Sequence, residues 1–287
     1  MSVPIELRDV THFYSPGTAM QVAAIKNISL TIEEGEFVGI IGHTGSGKST
    51  LISHFNGLLK PSEGTVLVDG EDISQSKEVL RAARFKVGLC FQYPEAQLFE
   101  ETVAKDIAFG PKNMKLPEDE ITRRVAEAAK YVGLRPEMLD KSPFDLSGGE
   151  KRRAAIAGVM AMEPKVLVLD EPAAGLDPRG KKEIHELIRN YRSRTGSTVV
   201  LVSHSMEDIA NLADRVIVMN HGEIAMNGTV DEVFSHASDL QAMGLNVPEI
   251  TRVFTALHDK GFDVPPNIYS VKEGVRILRA LLEGGVG

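Results

Sequence analysis

Tryptophan is absent and cysteine occurs once, as Cys90. A lone thiol can form no intrachain disulfide and no cysteine-built zinc site. Long hydrophobic runs are also missing. The longest, such as Val38–Ile41 and Val199–Val202, have the length of buried strands and fall far short of the ~18 residues of a membrane span. The opening stretch MSVPIELRD has no basic segment followed by an apolar one, so no secretory signal is expected and the setting reads as cytosolic. Positive charge is in deficit: 32 Lys and Arg stand against 40 Asp and Glu, a net charge of −8. Nucleic-acid binders need a basic face to neutralise phosphates, so this balance argues against DNA or RNA as a partner and gives no reason to expect direct binding to anionic lipid. No internal repeat or low-complexity tract is visible.

What is present is the composition of an ordinary globular chain. Of 287 residues, 43% are apolar and 25% charged, which suits one α/β nucleus with smaller attachments. Two kinds of strand can be told apart. Ile5–Leu7, Ile28–Ile32 and Thr65–Asp69 alternate apolar with polar residues, as half-buried strands do, and predict an antiparallel patch near the N-terminus. Phe37–Ile41, Val166–Leu169, Thr198–Val202 and Val216–Met219 are almost continuously apolar, as in a parallel sheet covered on both faces. Asn220-His221-Gly222 then predicts a closing hairpin into Glu223–Met226. Ile121, Val125, Ala128 and Val132 share one helical face, within a helical insertion expected at about 93–163. Beyond about residue 230, Ile250, Val253, Phe254 and Leu257 predict one amphipathic helix and Val275, Leu278 and Leu281 another.

Gly42-His43-Thr44-Gly45-Ser46-Gly47-Lys48-Ser49 fits G-x-x-x-x-G-K-[ST]. It follows a buried strand and precedes the helical spacing of Leu51, Ile52, Phe55 and Leu58, the context a phosphate loop requires. Glycines let successive backbone N–H groups point at phosphate oxygens, and the following helix N-terminus adds partial positive charge. Lys48 would reach the phosphates and the Ser49 hydroxyl would bind Mg²⁺. Downstream, the Val166–Leu169 strand ends in Asp170-Glu171, a Mg²⁺ carboxylate beside one that can orient the attacking water. Leu146-Ser147-Gly148-Gly149-Glu150 opens another helix. Ser147 and Glu150 predict a capping box. The paired glycines weaken a helix start but leave bare backbone that an anion can approach, so a cap and an anion site are both consistent with them.

The phosphate loop, Gln92, LSGGE at 146–150, VLVLDEP at 166–172, Gly175-Leu176-Asp177 and His204 occur in that order over residues 3–230. In this the chain resembles an ABC-type ATPase. FQYPEAQLFEETV at 91–103, DIAFGP at 106–111, the extended loop segment 42–61 and AIAGVMAMEP at 155–164 narrow the resemblance to the ATPases of energy-coupling factor (ECF) importers, most closely the second of their two paralogous ATPases. The resemblance implies a P-loop ATPase fold: a RecA-like, mostly parallel core sheet, an N-terminal antiparallel β patch, a helical subdomain, and a small helical extension at 232–287 appended to a nucleotide-binding domain at 1–231. It implies that Tyr14 stacks on adenine, that Thr50 and the 42–49 loop bind ATP, and that Gln92 contacts Mg²⁺ or water and senses a membrane partner. Glu171 would activate water, His204 would hold the γ-phosphate, and Asp170 would hold Mg²⁺ through water. Residues 147–150 would meet ATP bound to the opposite subunit, and Asp177 would link the two sites.

Two departures from the family pattern touch no phosphate-binding group. Ala173 replaces a common hydroxyl residue, and Glu150 stands where Gln is frequent. The implied function is ATP hydrolysis at a dimer interface, coupled to uptake of a vitamin or other micronutrient. The partners would be a paralogous ATPase (or a second copy), a transmembrane coupling subunit and a substrate-capturing membrane subunit, with this chain peripheral on the cytoplasmic face. Segment 92–103, where Leu98 and Phe99 sit among Glu95, Glu100 and Glu101, is expected to dock the coupling subunit through a helix carrying an arginine. The alternatives are the ATPase of an ordinary ABC importer or exporter, and a soluble ABC ATPase acting on nucleic acid or ribosomes. The 91–111 segment disfavours the first. The second usually carries a coiled-coil insertion, a zinc module or tandem cassettes, and none is visible. A P-loop kinase would explain neither LSGGE nor His204.

Overall fold

A computed structural model describes residues 3–284. Two sheets carry the strands. The first has the order β2-β1-β4-β5, with β1 at Ile5–Tyr14, β2 at Val22–Ile32, β4 at Glu63–Val68 and β5 at Glu71–Asp72. All its pairings are antiparallel. The second has the order β10-β9-β3-β8-β7-β6. Its strands are β3 (Phe37–Ile41), β6 (Val87–Cys90), β7 (Val166–Asp170), β8 (Thr198–Val202), β9 (Arg215–Asn220) and β10 (Glu223–Thr229). Five of these run parallel, and β10 returns antiparallel through the expected hairpin.

The continuous apolar runs are explained by burial on both faces. Val38 and Ile40 of β3, Val166 and Val168 of β7, and Val200 and Val202 of β8 point into a core shared with the antiparallel sheet and helix α1 (Lys48–Phe55). Phe37 and Ile41, Leu167 and Leu169, and Val199 and Leu201 point to the opposite core. That second core is closed by α3 (Val103–Asn113), α4 (Glu118–Tyr131), α5 (Gly148–Met160), α6 (Pro178–Thr195) and α7 (Met206–Leu212). Both faces of the parallel sheet therefore exclude water. Elements beyond those expected include α2 (Lys77–Lys86), the strand β6 that follows it, the short β5, and the helices α6 and α7.

The C-terminal part holds more than the two expected helices. Short helices α8 (Val230–Ser235) and α9 (Ala237–Ala242) come first. Their Val233, Phe234 and Leu240, with Leu245 and Val247 after them, belong to the main core. Only α10 (Glu249–Asp259) and α11 (Val271–Gly284) form a separate small core, built on Phe254, Val264 and Ile268 with Ile250, Leu257, Ile277, Leu278 and Leu281 against them. They approach closely at Gly274, where a Cβ would lie 2.9 Å from both Ile250 and Phe254. Tyr269 secures the unit by stacking on Phe234, with ring centroids 5.9 Å apart, and by donating a hydrogen bond to Asp231.

Candidate active site

Three neighbouring parallel strands bring the expected groups to one edge. In the order β3-β8-β7, the register sets Ile40 beside Val202 and Val202 beside Asp170. The segments after these residues are the phosphate loop, Ser203-His204 and Glu171. Ligands of open parallel sheets bind at this carboxyl edge, where the chain turns away and leaves space.

The loop is held by its neighbours. Gly222 N–H, in the β9–β10 turn, donates to Ser46 O at 3.0 Å. A Cβ on Gly42 would lie 2.4 Å from Met219 O, and one on Gly47 would lie 2.6 Å from Ala24 O. Gly47 also has φ +103, so a larger residue fits neither its space nor its backbone. No side chain caps the start of α1, which leaves its first N–H groups facing the loop's interior for an anion. Lys48 is buried, and its Nζ donates to Gly42 O at 2.6 Å and His43 O at 3.0 Å. Burial lowers its pKa, opposed by Glu171 and Asp170. Of the remaining loop side chains, Thr44 is exposed, His43 Nε2 lies 3.2 Å from Asn220 Oδ1, and Ser46 is buried with its hydroxyl unpaired.

Ser49 Oγ donates to Asp170 Oδ2 at 3.1 Å. A hydroxyl and a carboxylate converging this way form a hard-oxygen pair that fits Mg²⁺. Glu171 follows, with φ +50, a left-handed conformation that a non-glycine residue adopts at some cost. It turns the carboxylate back toward β8, where Oε1 lies 3.4 Å from His204 Nε2. Burial, reinforced by Asp170, pushes the Glu171 carboxyl up to about 7. Burial lowers His204, with Lys48 adding to the effect. A carboxyl tuned near neutrality beside a neutral imidazole suits proton transfer at physiological pH.

The other expected residues lie around this centre. Tyr14 is exposed, with its hydroxyl 3.3 Å from Thr50 Oγ1. Gln92 is exposed, two residues after the end of β6. Asp177 caps α6, accepting from Gly180 N–H at 2.8 Å. At the start of α5 the capping box is real: Ser147 N–H donates to Glu150 Oε2 at 2.9 Å, and Glu150 N–H to Ser147 Oγ. Yet Cβ atoms on Gly148 and Gly149 would meet nothing within 4 Å, so packing within the chain does not require these glycines.

Away from the nucleotide edge lies a groove of about 440 Å³ between segment 97–113 and α5. Leu98, Phe99, Phe109 and Met162 line it; Phe99 and Phe109 meet edge-to-face, with centroids 5.0 Å apart. Of the three carboxylates expected beside these apolar residues, two are engaged within the chain. Glu95 turns inward to Arg152, and Glu101 pairs with Lys105. Arg152 was not among the expected site residues. The signal was its spacing, four residues before the core residue Ile156, which puts a cation on the buried face of α5.

The ABC transporter family model matches residues 25–174. The energy-coupling factor transporter ATP-binding protein EcfA2 of Symbiobacterium thermophilum is 54% identical over 99% of both chains. Its namesake in Clostridium perfringens is 52% identical over 98% of this chain and 99% of that one. Among solved structures, cbiO1 of Clostridium perfringens, described as part of the ABC transporter complex cbiONQ, superposes with a TM-score of 0.74. It is 41% identical, with coverage of 87% of this chain and 98% of that one. A dimeric ATP-binding cassette bound to ADP and Pi in a post-hydrolysis state gives a TM-score of 0.70 at 31% identity, covering 79% and 98%. The fold and site thus define an ATPase of the ABC transporters. The chain belongs to that family and, within it, to the ATP-binding subunits of energy-coupling factor transporters.

Proposed function

We propose that this ATPase works as half of a nucleotide sandwich, paired with a paralogous subunit, on the cytoplasmic face of the cell membrane. The observation that carries the reading is the convergence of Lys48, the Ser49–Asp170 pair and the Glu171–His204 pair at one sheet edge. Lys48 leaves the carbonyls of Gly42 and His43 and binds the β- and γ-phosphates of ATP, while Tyr14 stacks on the adenine. Ser49, Gln92 and, through water, Asp170 would hold Mg²⁺, which neutralises charge on the transferring phosphoryl group. Glu171 accepts a proton from the attacking water as its oxygen bonds to the γ-phosphorus and the bond to ADP breaks. His204 hydrogen-bonds the γ-phosphate. Ser147 and the bare backbone of Gly148 and Gly149 meet the triphosphate of the partner's ATP, and Asp177 faces the opposite site. Glu150 fixes Ser147 through the capping box.

Closure and reopening of the pair would move a transmembrane coupling subunit, which serves a substrate-capturing membrane protein for a vitamin or other micronutrient. Among the described residues no helix is long and apolar enough to cross a membrane, so attachment would be through these partners. The apolar groove around Phe99 suits a helix of the coupling subunit. Because Glu95 and Glu101 are paired within the chain, Glu100 is left to meet an arginine of that helix, and apolar contact would supply most of the affinity. Phe99→Asp tests this: recovery of membrane subunits with the tagged chain should drop at least about tenfold, with ATP binding unchanged. Undiminished recovery would remove the groove from the account.

The α10–α11 unit would stabilise the ATPase pair. Val253, Phe262, Val271 and Leu282 remain exposed on it, an apolar surface that an interface would cover. Truncation after Pro248 should leave ATP binding intact and weaken association with the paralogue. Truncation at Asp231 should instead destabilise the whole chain, because it also removes Val233, Phe234 and Leu240 from the main core. Equal affinity for the paralogue after the shorter cut would leave the unit as a cover for the core.

A further inference from the structure

Arg152, in the second turn of α5, is 4% exposed. Its guanidinium is bound from two directions. Nε and Nη2 grip the two carboxylate oxygens of Glu95 at 3.0 and 2.7 Å. On the other side, Nη1 donates to Ala174 O at 2.5 Å and approaches Pro172 O at 3.4 Å. The ring of Tyr93 lies 5.9 Å from the guanidinium carbon.

The two anchors belong to different parts of the machine. Glu95 sits in the 3₁₀ turn Pro94–Gln97, which runs straight into the groove residues Gln97, Leu98 and Phe99. Pro172 and Ala174 belong to the loop that leaves Glu171. Both segments hold non-glycine residues in left-handed conformations, Tyr93 with φ +57 and Glu171 with φ +50. Such backbone persists only where surrounding contacts enforce it.

A buried guanidinium must keep its partners, since an unpaired charge in this environment is costly. If the turn carrying Glu95 shifts, Arg152 either follows and pulls on the carbonyls at 172 and 174, or leaves a buried ion pair broken. Lysine could not replace it, because one ammonium cannot hold a bidentate carboxylate and two carbonyls on the opposite side.

We infer that Arg152 is a positioning residue that joins the partner-docking groove to the loop carrying Glu171, so that seating a partner helix sets the catalytic carboxylate. The inference rests on the docking role given to the groove above.

The test compares ATP hydrolysis by the complete membrane complex with hydrolysis by the soluble ATPase pair, using Arg152→Met, Arg152→Lys, Glu95→Gln and the double variant Glu95→Gln/Arg152→Met. Assembly and ATP binding should persist, and the soluble pair should hydrolyse ATP within about twofold of wild type. Stimulation by the membrane subunits should fall roughly tenfold in each single variant. The double variant should be no worse than the worse single one, because both break one link. Wild-type stimulation in Arg152→Met, losses that multiply in the double variant, or parallel losses in soluble pair and complex would each overturn the inference. If Arg152→Met does not fold, Arg152→Lys and Glu95→Gln decide by the same ratio. Failure of the underlying reading looks different: Phe99→Asp would then leave assembly intact. Assembly that depends on Phe99, with normal stimulation in the Arg152 variants, sinks this inference alone.

Discussion

Replacing Glu171 with glutamine should abolish turnover while leaving ATP binding intact. The amide keeps the size and polarity of the side chain but cannot accept the proton of the attacking water. The loss should be on the order of 10²-fold or more, measured with the matching carboxylate of the paralogue also replaced so that its own site does not mask the effect. Hydrolysis at the wild-type rate would remove Glu171 as the base. The same substitution should also change stability in a pH-dependent way. Burial and Asp170 raise the Glu171 carboxyl from 4.5 to about 7, so the folded chain holds a proton there that the unfolded chain has already released. The group's contribution is therefore full below pH 4.5 and is lost as pH rises toward 7. Glutamine never ionises. The variant should be more stable than wild type at pH 8, by on the order of 2–3 kcal/mol at most, and the gap should close by pH 4.5. A gap that does not change with pH would contradict the raised pKa.

The second large effect belongs to Ser147. An arginine there should leave nucleotide binding by the single chain intact and block hydrolysis by the pair, because the damage would fall on ATP held by the opposite subunit. Ser147→Arg also removes a helix cap, worth about 1 kcal/mol. Ser147→Asp separates the two roles. Aspartate caps a helix as well as serine does, but it sets a negative charge against the opposing triphosphate. Ser147 Oγ also donates to Glu150 Oε2 at 2.7 Å, a bond aspartate cannot make, so the variant should lose about 1 kcal/mol of stability, as a lost cap does, yet lose hydrolysis by roughly 10²-fold. Normal hydrolysis in Ser147→Asp would leave Ser147 as a cap and nothing more.

Most of the active edge could be read before any coordinates. The phosphate loop, Asp170-Glu171 and His204 each follow a run apolar on both faces, and such runs become neighbouring strands of a buried parallel sheet. That puts them at one edge of the sheet, and the order β3-β8-β7 sets them side by side. What stayed hidden depends on distant partners. Strand β6 is four residues long and follows a largely polar helix without a break, so no period of two can develop. Helices α8 and α9 have six residues each, too short for a helical repeat, and their burial comes only from packing on the main core. Glu95 reads as a surface carboxylate beside other carboxylates, yet its partner Arg152 is 57 residues away. No local pattern announces such a pair. The capping box shows the opposite case, since Ser147 and Glu150 are legible at their spacing and the structure keeps both the cap and the open face beside it.

The central claim is that ATP joins this chain to a second ATPase across the phosphate loop and the 147–150 segment. Sedimentation of the Glu171→Gln chain mixed with its paralogue, in Mg-ATP and then in Mg-ADP, tests it directly. The account predicts a closed pair in ATP that comes apart in ADP, because only the γ-phosphate would reach both subunits. Equal association in the two nucleotides, or none in either, would contradict it.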